Sequence, residues 1–175
     1  NRGVNLFSNN FVSSLFKDDD NNLWVGTWGT GLHIFNPKKN WNVHYSSTHP
    51  TNRICNDNVH VIYQKRNGEI MIGTRDGLQL YDPNSKSFVD YFTSSGIKTN
   101  GVFISNRVYA FTEDKDDQLW VATKNGLHKI SNKQIISYYH NPNDSNSISS
   151  NECYDLITDK DGLIWVGTFN GLNSI

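Results

Sequence analysis

The chain has 175 residues, enough for one domain with a hydrophobic core of its own and no need of a disulfide framework or metal to fold. Its formal net charge is -1 with Lys and Arg scattered along the sequence, which excludes the basic footprint of a nucleic-acid binder. No apolar run approaches the roughly 20 residues that cross a bilayer, and residues 1–20 lack the charged and then apolar regions of a signal peptide.

In chain order, a segment opening at Val12 leads through the turn-forming string Asp18-Asp19-Asp20-Asn21-Asn22 into Leu23-Trp24-Val25-Gly26-Thr27. A turn closing on Gly31-Leu32 starts a third strand that Pro37 ends, and an aromatic-rich fourth strand runs from Trp41 to Tyr45. The same order returns from Val59, with Arg66-Asn67-Gly68-Glu69, Ile70-Met71-Ile72-Gly73-Thr74, Gly77-Leu78, Pro83 and a fourth strand from Phe88 to Phe92. A third copy opens at Val108, with Asp114-Lys115-Asp116-Asp117, Leu119-Trp120-Val121-Ala122-Thr123, Gly126-Leu127 and Ile135 to Tyr139. The last opens at Cys153, carries Asp159-Lys160-Asp161-Gly162, Ile164-Trp165-Val166-Gly167-Thr168 and Gly171-Leu172, and stops inside its third strand at Asn173-Ser174-Ile175.

The second-strand strings are spaced by 47, 49 and 45 residues, and each first segment starts 11 residues before its partner in all four copies. A constant offset across an Asp/Asn/Gly turn marks a hairpin, because those residues supply local hydrogen bonds and tolerate positive φ. Four short strands per unit, tight turns within it and a longer loop between units predict the meander of a propeller blade. The fold expected is therefore all-β: a β-propeller fragment of about three and a half four-stranded blades, one segment over 1–175. The repeats are 12–58, 59–107, 108–152 and a partial 153–175. Trp24, Trp120 and Trp165 share a sheet face with Gly26, Ala122 and Gly167, so each ring is expected to lie over a neighbour's missing side chain and to serve packing, not binding. Cys55 falls in a loop and Cys153 on a strand, and both are read as free.

The string Asp-x-Asp-Gly-x-Ile-Trp-Val-Gly-Thr-x-x-Gly-Leu at Asp159 to Leu172, nearly repeated at Asp114 to Leu127, resembles the two-component regulator propeller repeat. The likeness runs from about Val12 to Ile175 and departs from the pattern at Met71, at Ala122 and at one extra residue near Trp28. It implies a seven-bladed propeller serving as the periplasmic sensor of a hybrid two-component system, followed by a membrane helix, a histidine kinase and a response regulator. By the same implication this segment is not an enzyme, its ligands are oligosaccharides or polysaccharide-derived, and any membrane attachment lies in segments outside this chain.

A meander returns the turn after strand two and the long loop between blades to one face. The short turns offer that face Trp28, Arg75 and Asp76, Lys124 and Asn125, and Phe169 and Asn170. The long loops add 46–58 with His49 and Arg53, 93–106 with Lys98 and Phe103, and 140–151. Flanking the first-strand starts are two columns, Phe11, Asn58, Arg107 and Glu152 before, and Ser13, His60, Tyr109 and Tyr154 after. Same-face parity sends both columns towards a central channel, where rings stack on sugar faces and polar groups orient hydroxyls. The ligand-binding set expected is Trp28, Arg53, Asn58, His60, Arg75, Arg107, Tyr109, Lys124, Tyr154 and Phe169. The bland alternative is a solvated channel lining.

The six histidines, His33, His44, His49, His60, His128 and His140, show no metal-ligand spacing. No phosphate-binding loop or nucleophile elbow occurs, and no cofactor is expected. The recurring acids, such as Asp114 and Asp159, are read as turn caps. Two other readings stay open: a propeller that docks a protein on its flat face, and part of a polysaccharide lyase. Three and a half blades leave an apolar face uncovered at each end of the arc, so the sequence is expected to be an excerpt of a longer protein, to self-associate, or both.

Overall fold

The computed structural model describes residues 11–97 and 107–175. Each repeat folds as its own antiparallel sheet, with strands in sequence order. The first sheet holds β1 (Val12–Lys17), β2 (Leu23–Thr27), β3 (Leu32–Asn36) and β4 (Trp41–Tyr45). The second holds β5 (Val59–Gln64), β6 (Ile70–Thr74), β7 (Gly77–Asp82) and β8 (Ser87–Asp90), followed by the short helix α1 (Tyr91–Ser95). The third holds β9 (Val108–Glu113), β10 (Leu119–Thr123), β11 (Gly126–Ser131) and β12 (Gln134–Tyr138), and the last holds β13 (Cys153–Thr158), β14 (Ile164–Thr168) and β15 (Gly171–Ser174). The first strands face one another across successive sheets, β1 against β5, β5 against β9 and β9 against β13, so the sheets radiate from a common inner edge as propeller blades do.

Apolar burial lies between blades. Trp24, Leu32, Ile34 and Tyr45 of the first pack with Val59, Ile62, Ile72 and Phe88 of the second. Met71 and Leu78 pack with Val108, Phe111, Leu119 and Val121. Ala122 and Leu127 join Cys153, Leu156, Ile164 and Val166. The expected Trp-over-Gly contact is corrected here. A Cβ on Gly26 would come within 2.9 Å of Val59 Cγ1, and one on Gly73 within 2.7 Å of Val108 Cγ1, so the first-strand valine of the next blade fills the slot. Where the slot carries the Ala122 methyl, the plug in the same cluster shrinks to Cys153.

The tryptophans are tied from below. Trp24, Trp120 and Trp165 donate their indole N–H groups to Asp18, Asp114 and Asp159 at 2.8, 3.0 and 2.8 Å. The same carboxylates cap the turn backbone, Asp18 accepting from the Asn22 amide, Asp114 from Asp116 and Gln118, and Asp159 from Asp161 and Leu163. This is the capping role expected of the recurring acids. At the second turn each strand-closing threonine donates to a glycine carbonyl: Thr27 to Gly31, Thr74 to Gly77, Thr123 to Gly126 and Thr168 to Gly171.

Two strand expectations shift. The segment expected as a strand from Phe88 to Phe92 is β8 up to Asp90, whose side chain then accepts from the Thr93 amide and starts α1, while Gly96 at φ 65° ends it. The expected 135–139 strand moves back by one residue. Cys55 is exposed and Cys153 buried, and both are free.

Candidate functional site

The turn after strand two and the approach to strand one meet by one repeated backbone bond. Trp28, Arg75, Lys124 and Phe169 donate their amides to the carbonyls of Phe11, Asn58, Arg107 and Glu152, at 3.1, 3.0, 3.0 and 2.9 Å. All four pairs stand at one end of the sheets, where the long loops also arrive. The extra residue in the first copy is absorbed by Asp57, whose carbonyl accepts from both Gly29 and Gly31, and Trp28 bridges to Asn58, the residue just before β5 of the next blade.

Just inside this rim every first strand is irregular. The register of β1 on β2 skips between Val12 and Ser14, of β5 on β6 between Val59 and Val61, of β9 on β10 between Val108 and Ala110, and of β13 on β14 between Cys153 and Asp155. The skipped residues are Ser13, His60, Tyr109 and Tyr154. Each is a β-bulge residue, released from strand alternation and re-aimed by the local bend. Simple parity, used to direct this column inward, is therefore the wrong mechanism; the bulge places it.

The bulges and Trp28 build a continuous aromatic arc. Phe11 stacks on Trp28 with centroids 4.7 Å apart, Trp28 tilts against His60 at 5.9 Å, His60 stacks on Tyr109 at 5.1 Å with planes 9° apart, and Tyr109 meets Tyr154 at 5.0 Å. In the first blade the bulge residue is Ser13, whose hydroxyl is turned to the Val59 carbonyl, and the Trp28 ring extends the arc in its place. Trp28 is 48% exposed and Tyr154 41%, so the arc is open at the surface.

Its polar surroundings are lopsided. Burial holds the His60 imidazole below its ordinary value; a Val108 backbone contact opposes the shift, and the Arg107 and Arg75 charges add to it. At the far end Tyr154 donates its hydroxyl to Glu152 at 2.7 Å, a bond that raises the phenol. Neutral imidazole and phenol rings, two guanidiniums and one carboxylate suit recognition of a polar ring compound.

The structure thus brings Trp28, His60, Tyr109 and Tyr154 into direct contact, with Arg75 and Arg107 close enough to act on His60 electrostatically. Asn58 contributes backbone, accepting from Arg75. Lys124 and Phe169 reach the same rim through their amides, with the Phe169 ring 76% exposed. Arg53 sits apart, exposed in the long loop where it bridges to Ser46. His49 caps that loop, accepting from the Thr51 and Asn52 amides. Lys98 and Phe103 lie outside the described residues. Phe11 and Glu152, named as column residues but left out of the expected ligand-binding set, both belong to the arc. Among the described residues no group of three metal-binding side chains assembles.

The family model for the two component regulator propeller matches residues 6–29, 103–125 and 147–170, each a stretch reaching from a first strand through the second. Comparison with curated proteins finds no match. Among solved structures, the extracellular domain of a hybrid two component system from B. thetaiotaomicron is similar at a TM-score of 0.77 and 23% identity, covering 94% of this chain and 23% of its own. A second such domain from the same organism gives 0.71 and 25%, covering 94% and 20%. Virginiamycin B lyase from Staphylococcus aureus gives 0.63 and 11%, covering 94% and 55%, a likeness of fold alone. The chain spans less than a quarter of the length of the two extracellular domains.

Proposed function

We propose that this chain, built from two component regulator propeller repeats, is a ligand-sensing segment of the periplasmic receptor region of a hybrid two-component signalling protein, and that the aromatic arc takes a carbohydrate. The observation carrying this reading is the arc itself: the rings of three bulge residues, His60, Tyr109 and Tyr154, and those of Trp28 and Phe11 form one row of contacts on one face. His60 and Tyr109 are half-buried, but a scaffold has no packing need to carry the row out to exposed rings at Trp28 and Tyr154. Apolar sugar faces lie flat on aromatic rings, while hydroxyls pair with groups such as Glu152, His60 and the guanidiniums. The segment senses and does not catalyse; its output is carried by parts of the receptor beyond this chain.

The test is calorimetric titration of the protein with neutral and acidic oligosaccharide panels, repeated on Tyr109→Ala. Saturable binding to a defined saccharide, weakened about 10-fold or more by loss of the central ring, is expected. Binding untouched in Tyr109→Ala would remove the arc as the site, and no binding across the panels would remove the carbohydrate.

A further inference from the structure

We propose that the ligand of this arc is anionic, presenting a carboxylate or sulfate group to Arg75 and Arg107 while its ring lies along His60 and Tyr109. The inference rests on the arc being the ligand surface and adds the ligand's charge.

Two observations carry it. First, the ion pairs among the described residues are Lys65–Glu69, Arg66–Asp117 and Lys129–Asp114, so the Arg75 and Arg107 guanidiniums have no carboxylate partner there. Arg66, by contrast, reaches the Asp114 carbonyl and the Asp117 carboxylate at 2.6 and 2.7 Å. Second, three acids of the same rim accept from neutral groups and form no ion pair with either arginine. Asp76 accepts from the Asn56 side chain, Asp57 from the Ser47 amide and hydroxyl, and Glu152 from Tyr154. Arg75 donates its amide to Asn58, two residues before His60, and Arg107 stands two residues before Tyr109 with its carbonyl accepting from Lys124, so both side chains leave the rim beside the arc, where their charges act on His60. Guanidinium groups bind carboxylate and sulfate bidentately, with charge-assisted bonds stronger than those to neutral hydroxyls. Glu152, at the other end of the arc, is an acceptor and suits hydroxyl donors. The geometry therefore asks for a ligand with an anionic group for Arg75 and Arg107 and hydroxyl donors for Glu152; the Arg107 charge reaches both His60 and Tyr154.

A uronate, a sulfated sugar and a simple aromatic carboxylate share this chemistry, and three probe pairs separate them: a trigalacturonate against its methyl ester, a sulfated disaccharide against its desulfated form, and 2-naphthoate against 2-naphthamide. Each is titrated into the protein and into Arg75→Ala and Arg107→Gln, with affinity and its salt dependence as readouts. The charged member of at least one pair is expected to bind about 10-fold or more tightly than its neutral partner. That preference should collapse in either variant and weaken with added salt. Because Arg75 is exposed, its variant leaves folding intact even if Arg107→Gln does not. Equal or tighter binding of the neutral partners would overturn the charge while leaving the arc as a saccharide site. A charge preference that survives both variants would overturn the assignment to these two arginines. Absence of binding by every probe would overturn both this inference and the reading it rests on.

Discussion

The Trp120 indole donates to the Asp114 carboxylate at 3.0 Å, both residues being buried, and Lys129 closes on the same carboxylate at 2.9 Å. Burial alone would raise the Asp114 carboxyl, but the bonds from Trp120, Lys129 and two turn amides outweigh it and hold it below its ordinary value. The same six-residue link joins Asp18 to Trp24 and Asp159 to Trp165. In the second blade both ends change together: Lys65 stands at the acid position and Met71 at the indole position, and Lys65 pairs with Glu69 instead. An indole without an acceptor, or a buried carboxylate without donors, is costly, which explains why neither is kept alone.

Asp114→Ala should therefore destabilise the protein by about 3 kcal/mol, since it strands both the Trp120 N–H and the Lys129 ammonium. Trp120→Phe should couple to it, the double variant costing at least about 1 kcal/mol less than the two singles summed. Urea unfolding of the four proteins checks this, and strict additivity would count against the link.

Gly73→Ala should be destabilising by about 1 to 3 kcal/mol, because its Cβ would sit 2.6 Å from Val61 Cγ1 and 2.7 Å from Val108 Cγ1. Adding Val108→Ala should recover part of the loss, as Cys153 accompanies Ala122 in the next slot. A double variant no more stable than Gly73→Ala by thermal melting would argue against this blade-to-blade fit.

Burial pushes the His128 imidazole from 6.5 down to about 4, with an Asn125 backbone contact opposing it. Between those values the unfolded chain binds a proton that the folded one refuses. Stability is thus complete above pH about 6.5 and is lost as pH falls towards about 4, by at most on the order of 3 kcal/mol. His33 shifts the same way, through burial and then the stacked His44. The lowered carboxylates Asp114 and Asp159 act only at lower pH, since their ordinary value is 3.8. His128→Gln, the residue type found at Gln79 in the second blade, should lose less melting temperature between pH 7 and 5 than the parent. Identical slopes would sink the assignment.

The blades were legible because Leu23, Ile70, Leu119 and Ile164 open equivalent strings, and their hairpin offset fixed every first strand at the residue where it begins. The end of β8 was obscured because Tyr91 and Phe92 continue an apolar run, and Asp90 and Gly96, the cap signals, flank only one turn of helix. The column Ser13, His60, Tyr109 and Tyr154 was visible by position, but the bulge that turns it was not, since an inserted residue leaves no mark in alternation. Trp28 joins the arc through a bridge to Asn58 between blades, a long-range pairing that no local pattern encodes. The Asp–indole link was present in the spacing of Asp114 and Trp120 and became physical only once both were seen to be buried.

The account turns on the aromatic arc being where a ligand sits. A crystal structure of the protein soaked with a saccharide that binds it in solution decides the matter. The account predicts a sugar ring against His60 and Tyr109 with its polar groups towards Arg75, Arg107 and Glu152. A sugar found instead in the cleft between Asp18, Trp41 and Tyr81, at the other end of the sheets, would contradict it.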